Sequence, residues 1–252
     1  MPVKVDPEIQ EALEALDLTI WEARHPKVVS GVSEKTGKLI HRENKERVNV
    51  VLQGPGLPHD CLGFGSTLQA AVDDALAWWQ ALLAQGIDPA NVVFGGDSAG
   101  GGLTLATLIA ARDQGLPLPA GAFLFSPWTD LSCSGDTMRT QAKADAMFEP
   151  QALPQAAAFY LSGQPANTPL ASPLFADLSG LPPLMFHASE HEILLDDSRR
   201  THAKAQQQGV QSELHLKARM PHVWPTMVLL PEARESLKQT LAFVARVTGR
   251  SN

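Results

Sequence analysis

A serine stands in a glycine-rich segment where its hydroxyl can act as a nucleophile. The segment 96–102 reads Gly-Asp-Ser-Ala-Gly-Gly-Gly, follows the apolar run 91–94 and precedes a helix-like stretch. A serine hydroxyl becomes a good nucleophile only when a base takes its proton, and a sharp strand-to-helix turn carries Oγ to where a base and a substrate can reach it. Glycines two positions before and after Ser98 permit so tight a turn. The segment therefore predicts a nucleophile elbow and serine hydrolase chemistry.

Phosphate binding is the alternative for a glycine-rich turn between a strand and a helix. Residues 95–102 have no lysine after their glycines and lack the G-x-G-x-x-G spacing of dinucleotide-binding loops. A second candidate, Gly54-Pro55-Gly56, has His59 where the third glycine would have to stand. The spacing therefore favours a nucleophile elbow over a phosphate site.

The base is sought among the histidines that follow Ser98, because elbow hydrolases with α/β folds place serine, acid and histidine in that order. Five of the eight histidines qualify: His187, His191, His202, His215 and His222. Two of these fall in predicted strands and His202 in a predicted helix, where packing or surface roles are commoner. His222 lies in the segment 220–224, Met-Pro-His-Val-Trp, just after the last predicted strand. We predict His222 as the base, since a loop there can carry an imidazole over the sheet edge.

The acid is sought after the preceding predicted strand, where four carboxylates follow: Glu190, Glu192, Asp196 and Asp197. Glu192 is the predicted acid because it lies about four residues past that strand, before an apolar patch that would fix the loop. Asp196 and Asp197 are expected to form the N-cap and first turn of the next helix. A carboxylate in the acid position orients the histidine and stabilises its charged form. Asp196 stays open as the alternative acid.

The segment 187–191, His-Ala-Ser-Glu-His, matches a pattern found in zinc peptidases. That pattern needs both histidines on one face of a helix, whereas the preceding residues 181–186 predict loop and strand. Extended backbone would separate the two imidazoles by four strand steps of about 3.3 Å each, too far for ordinary chelation. We therefore predict no metal and no cofactor.

Apolar strands alternate with helices along most of the chain. Strands are predicted over 48–52, 91–95, 120–125, 182–188 and 212–217, and helices over 68–83, 99–114, 196–208 and 232–247. This order predicts an α/β fold with a mostly parallel sheet and helices on both faces. The active site is then expected at the carboxyl ends of the strands. We expect a single domain over 1–252, with a lid contribution from 1–20 and 132–173.

Composition and charge limit the binding partners and cellular settings that we expect for this chain. The chain has 252 residues and a formal charge of −7, from 20 basic and 27 acidic residues that form no single-sign block, so nucleic acid is not an expected partner. Cys61 and Cys133 are isolated and predict neither a disulfide framework nor a zinc knuckle. An acidic, helix-patterned start and no apolar run of about 18 residues predict a cytoplasmic protein without a membrane span. A homodimer paired through the helix 232–247 stays open.

Several motifs in the same order resemble those of hormone-sensitive-lipase-like esterases, a branch of the α/β-hydrolases that includes bacterial esterases and lactone hydrolases. They are Asp73-Asp74-Ala75 with Trp79, the elbow 95–101, the segment 126–130 (Ser-Pro-Trp-Thr-Asp), Ser172-Pro173-Leu174, the segment 192–197 and Met220-Pro221-His222. The resemblance runs from about residue 68 to the C-terminus. It implies an α/β-hydrolase fold, Ser98 as nucleophile, Glu192 as acid, His222 as base, and short or medium acyl esters or lactones as substrates.

The chain departs from that family upstream of the elbow. The family carries a His-Gly-Gly-Gly loop and a later Tyr-Arg-Leu-Ala-Pro-Glu segment, and the nearest counterpart of the first here is residues 53–56, Gln-Gly-Pro-Gly. The family's triple glycine supplies backbone N–H groups to the oxyanion, whereas Pro55 has none to give. Ala99 is expected to supply one donor, and Gly54 and Gly56 further ones only if their loop reaches the site.

Two other functions stay open. Deletion or frameshift in the region 37–66 would leave a catalytically impaired relative that binds small ligands, because a sheet that lacks an interior strand must pair anew. A serine peptidase or amidase on the same scaffold is the third reading, since fold and triad are shared across chemistries.

Overall fold

The computed structural model of the chain describes residues 19–22, 50–53 and 68–250, and its side chains from residue 71. The strands are β1 (Thr19–Glu22), β2 (Val50–Gln53), β3 (Val92–Asp97), β4 (Gly121–Phe125), β5 (Leu184–Ser189) and β6 (Ser212–Lys217). The α-helices are α1 (Leu68–Ala84), α2 (Ala99–Asp113), α3 (Thr137–Thr140), α4 (Ala152–Leu161), α5 (Leu195–Gln207) and α6 (Pro231–Val247). Short 3₁₀ turns cover Pro89–Asn91, Pro173–Phe175 and Trp224–Thr226.

The described strands form one sheet in the order β1-β2-β3-β4-β5-β6. The pairings from β3 to β6 are parallel, with Asp97 beside Phe125 and Ser189 beside Lys217. The carboxyl ends of these four strands therefore meet at one edge of the sheet. The predicted α/β fold with a mostly parallel sheet is confirmed.

The strand β2 runs against this direction. It pairs antiparallel with both β1 and β3, and Gln53 lies opposite Val92, the first residue of β3. Its carboxyl end therefore lies at the end of β3 that is farther from the elbow.

Helices cover both faces of the sheet, because successive strand side chains point to opposite sides. On β3, Val92 and Phe94 pack into a core with α1, α2 and α5, whereas Val93 packs with α6. The helix α2 is buried along nearly its whole length, which fits its small and apolar composition.

Most predicted ends of helices and strands agree with the observed ends to within one or two residues. The start of α5 differs: Leu194 is its N-cap, and Asp196 and Asp197 both lie within the first turn. The prediction that one of these aspartates caps the helix is therefore wrong. Asp196 instead accepts the N–H of Thr137 (3.0 Å), so its carboxylate is used by a neighbouring segment.

Candidate active site

Ser98 lies in the turn between β3 and α2 with φ 53° and ψ −125°. Positive φ is uncommon for a residue with a side chain, and here it follows from the sharp change of direction between strand and helix. The turn depends on Gly96, because a Cβ at that position would lie 2.3 Å from the Gly100 carbonyl oxygen and 2.5 Å from Thr104 Oγ1. The local geometry is that of the predicted elbow.

Three side chains from separate elements form a hydrogen-bonded chain at the carboxyl edge of the sheet. Ser98 Oγ lies 2.9 Å from His222 Nε2, and His222 Nδ1 lies 2.8 Å from Glu192 Oε2. A carboxylate only accepts hydrogen bonds, so Nδ1 carries the proton and Nε2 is left to accept from the serine hydroxyl. Glu192 and His222 are 0% and 2% exposed, which shields the hydrogen bond between them from water. We call these residues the serine–histidine–glutamate chain.

The glutamate is held by the end of β5. We call residues 190–194 the acid loop. Ser189 N donates to Glu192 Oε1 (3.0 Å), so both carboxylate oxygens of Glu192 accept a hydrogen bond. Ser189 Oγ donates to the carbonyl of Met220 (2.5 Å), two residues before the histidine. Ser189 therefore fixes Glu192 relative to the backbone that precedes His222.

The histidine is held by a second serine. We call residues 218–223 the histidine loop. Val223 N donates to Ser126 Oγ (3.0 Å), and Ser126 itself follows β4. Trp224 is buried and its Nε1 donates to Ser236 Oγ in α6 (3.2 Å). Contacts to a strand end and to a helix thus fix the loop.

Comparison with known proteins identifies the family of the chain. Residues 65–226 match the family model of the alpha/beta hydrolase fold. The chain belongs to the α/β-hydrolase family. An acetyl-hydrolase of Streptomyces hygroscopicus is 40% identical over 185 residues, or 73% of this chain and 62% of that protein. An esterase of Acinetobacter venetianus is 37% identical over 179 residues, or 69% of this chain and 58% of that protein. The chain therefore spans less than two thirds of the length of these relatives.

Solved structures confirm the predicted branch of the family. A crystal structure of EstE5 soaked with ethyl alcohol superposes with a TM-score of 0.74 at 30% identity, covering 98% of this chain and 94% of that one. An esterase from the bacterial hormone-sensitive lipase family gives a TM-score of 0.73 at 26% identity, covering 98% of this chain and 100% of that one. The resemblance to hormone-sensitive-lipase-like esterases is therefore confirmed.

The other carboxylates near the acid loop of this α/β-hydrolase serve the scaffold. Asp197 Oδ2 accepts the N–H groups of Thr129 and Asp130 (2.8 Å each). Burial and the neighbouring Asp130 raise the pKa of Asp197 to about 8. Burial would also raise the pKa of Asp130, but hydrogen bonds from Ser132, Ser134 and Arg200 outweigh it and lower that pKa. These groups fasten the segment after β4 to α5.

The other four histidines that follow Ser98 contact groups elsewhere in the described part of the chain. His187 stacks on His215 in the neighbouring strand with ring centroids 4.8 Å apart, and His202 Nδ1 lies 2.7 Å from Ser212 Oγ. His191 Nδ1 accepts the N–H of Arg219 (3.1 Å). No group of three or more metal-ligating side chains occurs in the part of the chain that the structure describes. None of the described helices is long and apolar enough to cross a membrane.

The segment 132–173, which we call the cap segment, reaches the site through one aromatic ring. The Phe148 ring lies 4.8 Å from the His222 ring, edge to face at 72°. Two other aromatic residues near this segment differ in burial: Trp128 is buried in the core, and Phe159 is 75% exposed. The thiol of Cys133 is kept protonated by burial and by Asp197 and Asp130, which raise its pKa to about 12.

Some of the predicted residues lie outside the part of the chain that the structure describes. Gly54 and Gly56, the further oxyanion donors, and Cys61 lie outside the described residues, as do residues 1–18 of the predicted lid and most of the region 37–66. Ser126, Ser189 and Phe148 were not predicted as site residues. The motif 126–130 contains Ser126 and could have indicated it. Ser189 and Phe148 act through contacts between loops, which the sequence pattern does not show.

Proposed function

We propose that this α/β-hydrolase is a carboxylic-ester hydrolase in which Ser98 is the nucleophile, His222 the base and Glu192 the acid. The observation that carries the proposal is the serine–histidine–glutamate chain, with hydrogen bonds of 2.9 and 2.8 Å, at an elbow turn. The relatives named acetyl-hydrolase and esterase support an ester as the substrate class.

The proposed reaction has two steps. His222 Nε2 takes the proton of Ser98 Oγ as the oxygen attacks the acyl carbon, and the imidazolium then gives that proton to the leaving alcohol. A water molecule, deprotonated by the same nitrogen, attacks the acyl-enzyme and releases the acid. Glu192 keeps the proton of His222 on Nδ1 and stabilises the imidazolium in both steps. No cofactor takes part in this scheme.

The oxyanion of each tetrahedral intermediate needs N–H donors. We propose the N–H of Ala99 as one, because Ala99 is the first residue of α2 and the first N–H groups of a helix have no intrahelical partner. The sequence offers Gly54 and Gly56 as further donors; both lie outside the described residues, and Gly56→Pro tests the second.

The proposed substrates are short or medium acyl esters or lactones. One structural neighbour, EstE5, was soaked with p-nitrophenyl butyrate, which makes this ester a suitable first substrate. We expect wild-type protein to hydrolyse p-nitrophenyl acetate and butyrate and Ser98→Ala to retain only the background rate. Equal rates for the two proteins would refute the proposal.

Two rival functions make different predictions. A catalytically impaired relative would fold cooperatively or partly, yet leave Ser98 unlabelled by a fluorophosphonate probe. This rival is motivated by the sequence before residue 65, where the family match begins. A peptidase or amidase would also hydrolyse a matched amide at a rate that Ser98→Ala abolishes, whereas an esterase would hydrolyse only the ester, so side-by-side kinetics on both substrates distinguish the two.

The domain organisation, the lid, the location and the oligomeric state of the protein are also proposals. We propose that residues 1–252 form one domain and that the cap segment covers the site, which the contact between Phe148 and His222 supports. The cytoplasmic location and the homodimer through α6 stay predictions, and sedimentation of the purified protein would test the second.

A further inference from the structure

One carboxylate outside the serine–histidine–glutamate chain joins the cap segment to the acid loop. Asp145 Oδ1 accepts the N–H groups of Met147 (2.8 Å) and Phe148 (3.0 Å), which closes a turn in the cap segment. Asp145 Oδ2 accepts the N–H of Ile193 (2.8 Å). Because Ile193 follows Glu192 directly, one half-buried side chain fixes both the turn that carries Phe148 and the backbone beside the acid.

The cap segment and the acid loop, which Asp145 joins, both contact His222. Glu192 binds Nδ1 of the imidazole (2.8 Å), and the Phe148 ring packs edge to face on the same imidazole. The plane of the imidazole decides whether Nε2 points at Ser98 Oγ, which is 2.9 Å away. A shift between the cap segment and the acid loop would therefore turn the histidine away from the serine.

We propose that Asp145 is a positioning residue that holds Phe148 and the acid loop in one fixed arrangement around His222. The inference rests on the proposed function of the serine–histidine–glutamate chain. Among the described residues, Asp145 accepts hydrogen bonds from Met147, Phe148 and Ile193 and from none of the three residues of that chain. It acts through Phe148 and Ile193.

The variant Asp145→Asn tests the link with almost no change of shape. Asparagine has a single side-chain oxygen, which can keep the turn by accepting from the N–H groups of Met147 and Phe148. Its NH₂ group then faces the N–H of Ile193, so a hydrogen bond is replaced by two opposed donors. We expect kcat for p-nitrophenyl butyrate to fall about ten- to a hundredfold, as small misplacements of catalytic groups do. KM should stay close to the wild-type value, because the histidine acts after the substrate has bound.

The matched control is Asp136→Asn, in the same segment. The Asp136 side chain is 88% exposed and its carboxylate lies 3.9 Å from Arg139, so this variant should keep wild-type kinetics. Titration with a fluorophosphonate counts the reactive serines in each preparation, and kcat is expressed per reactive serine. A loss caused only by partial unfolding would disappear after this correction.

A double-mutant cycle with Phe148→Ala separates positioning from general stability. Once the ring is absent, Asp145→Asn should cost less kcat than it does in the wild-type protein. Equal costs in the two backgrounds, or a kcat per reactive serine equal to that of Asp136→Asn, would overturn the proposal. A wild-type protein that neither reacts with the probe nor hydrolyses the ester would instead refute the proposed function.

Discussion

Ser98 is held in an unfavourable backbone conformation by its neighbours. Such a conformation costs a residue with a side chain on the order of 1–3 kcal/mol and persists only where the surroundings fix it. Here Ser98 N donates to the Phe125 carbonyl (2.9 Å), while the Ser98 carbonyl accepts from Trp128 N (2.8 Å) and Gly101 N (3.0 Å). The strand β4, the segment after it and the helix α2 therefore all contribute to presenting the hydroxyl.

The choice between Glu192 and Asp196 as the acid can be tested by two amide substitutions. In Glu192→Gln the side-chain oxygen can stay with Ser189 N, and the NH₂ group then faces Nδ1 and moves the histidine proton to Nε2. That tautomer cannot accept the serine proton, and the corresponding change in a serine protease lowers kcat about 10⁴-fold. We expect a loss of kcat of about this size, measured with p-nitrophenyl butyrate.

Asp196→Asn is the matched control for that measurement. Asp196 accepts from Thr137 N, whereas the carboxylate bonded to His222 in the described part of the chain is that of Glu192. We expect kcat within a few fold of wild type, because the lost hydrogen bond joins Asp196 to Thr137 and not to His222, and one such bond contributes only about 1 kcal/mol to stability. A larger loss in Asp196→Asn than in Glu192→Gln would move the role of acid to Asp196.

At the scale of the elements, the strands and helices follow from apolar periodicity, and the loops between them do not. The pattern predicts β6 over the residues where it lies, and α1, α2 and α6 within a residue of their ends. Asp145 to Ile193 and Ser189 to Met220 join segments 48 and 31 residues apart. Such pairs leave no periodic signal, because they depend on which strand ends become neighbours.

The direction of β2 gives a prediction about the oxyanion donors. Gln53 pairs with Val92, and Ser98 follows the other end of β3, six strand steps of about 3.3 Å away, or about 20 Å. A donor at Gly56 would have to cross this distance within three residues of extended chain, which span about 11 Å at most. We therefore expect Gly56→Pro, which removes the N–H, to label at Ser98 as fast as wild type. A loss of about 100-fold, typical of a missing oxyanion donor, would show that Gly56 reaches the site.

For the whole molecule, the layered fold explains why His187 and Asp197 are buried. His187 lies in the interior strand β5 and Asp197 beneath the segment after β4, and they are 0% and 1% exposed. Burial, with a smaller contribution from His215, lowers the pKa of His187 to about 3, whereas the pKa of Asp197 is raised to about 8. The sequence placed His187 in a strand, but a propensity pattern says nothing about the depth of a strand in the sheet.

The two groups give opposite dependences of stability on pH. Between pH 3 and 6.5 the unfolded chain protonates His187 and the folded protein does not, so stability from this group rises with pH. Between pH 3.8 and 8 the folded protein keeps a proton on Asp197 that the unfolded chain releases, so stability from this group falls with rising pH. The two contributions cancel between pH 3.8 and 6.5, and from pH 6.5 to 8 only the fall due to Asp197 remains.

The variant Asp197→Asn should remove the loss of stability between pH 6.5 and 8. The amide has the shape of the protonated acid and does not titrate. From these two groups, the free energy of unfolding of the wild type should drop by about 2 kcal/mol between pH 6.5 and 8, at about 1.4 kcal/mol per pH unit. In Asp197→Asn it should be level over this range and fall below pH 6.5, where the buried neutral His187 is no longer compensated. Urea unfolding at pH 5, 6.5 and 8 measures both effects, with Asp136→Asn as a control that keeps the wild-type profile. The same slope in the wild type and Asp197→Asn above pH 6.5 would mean that the folded protein holds Asp197 as a carboxylate, paired with Arg200 at 3.5 Å.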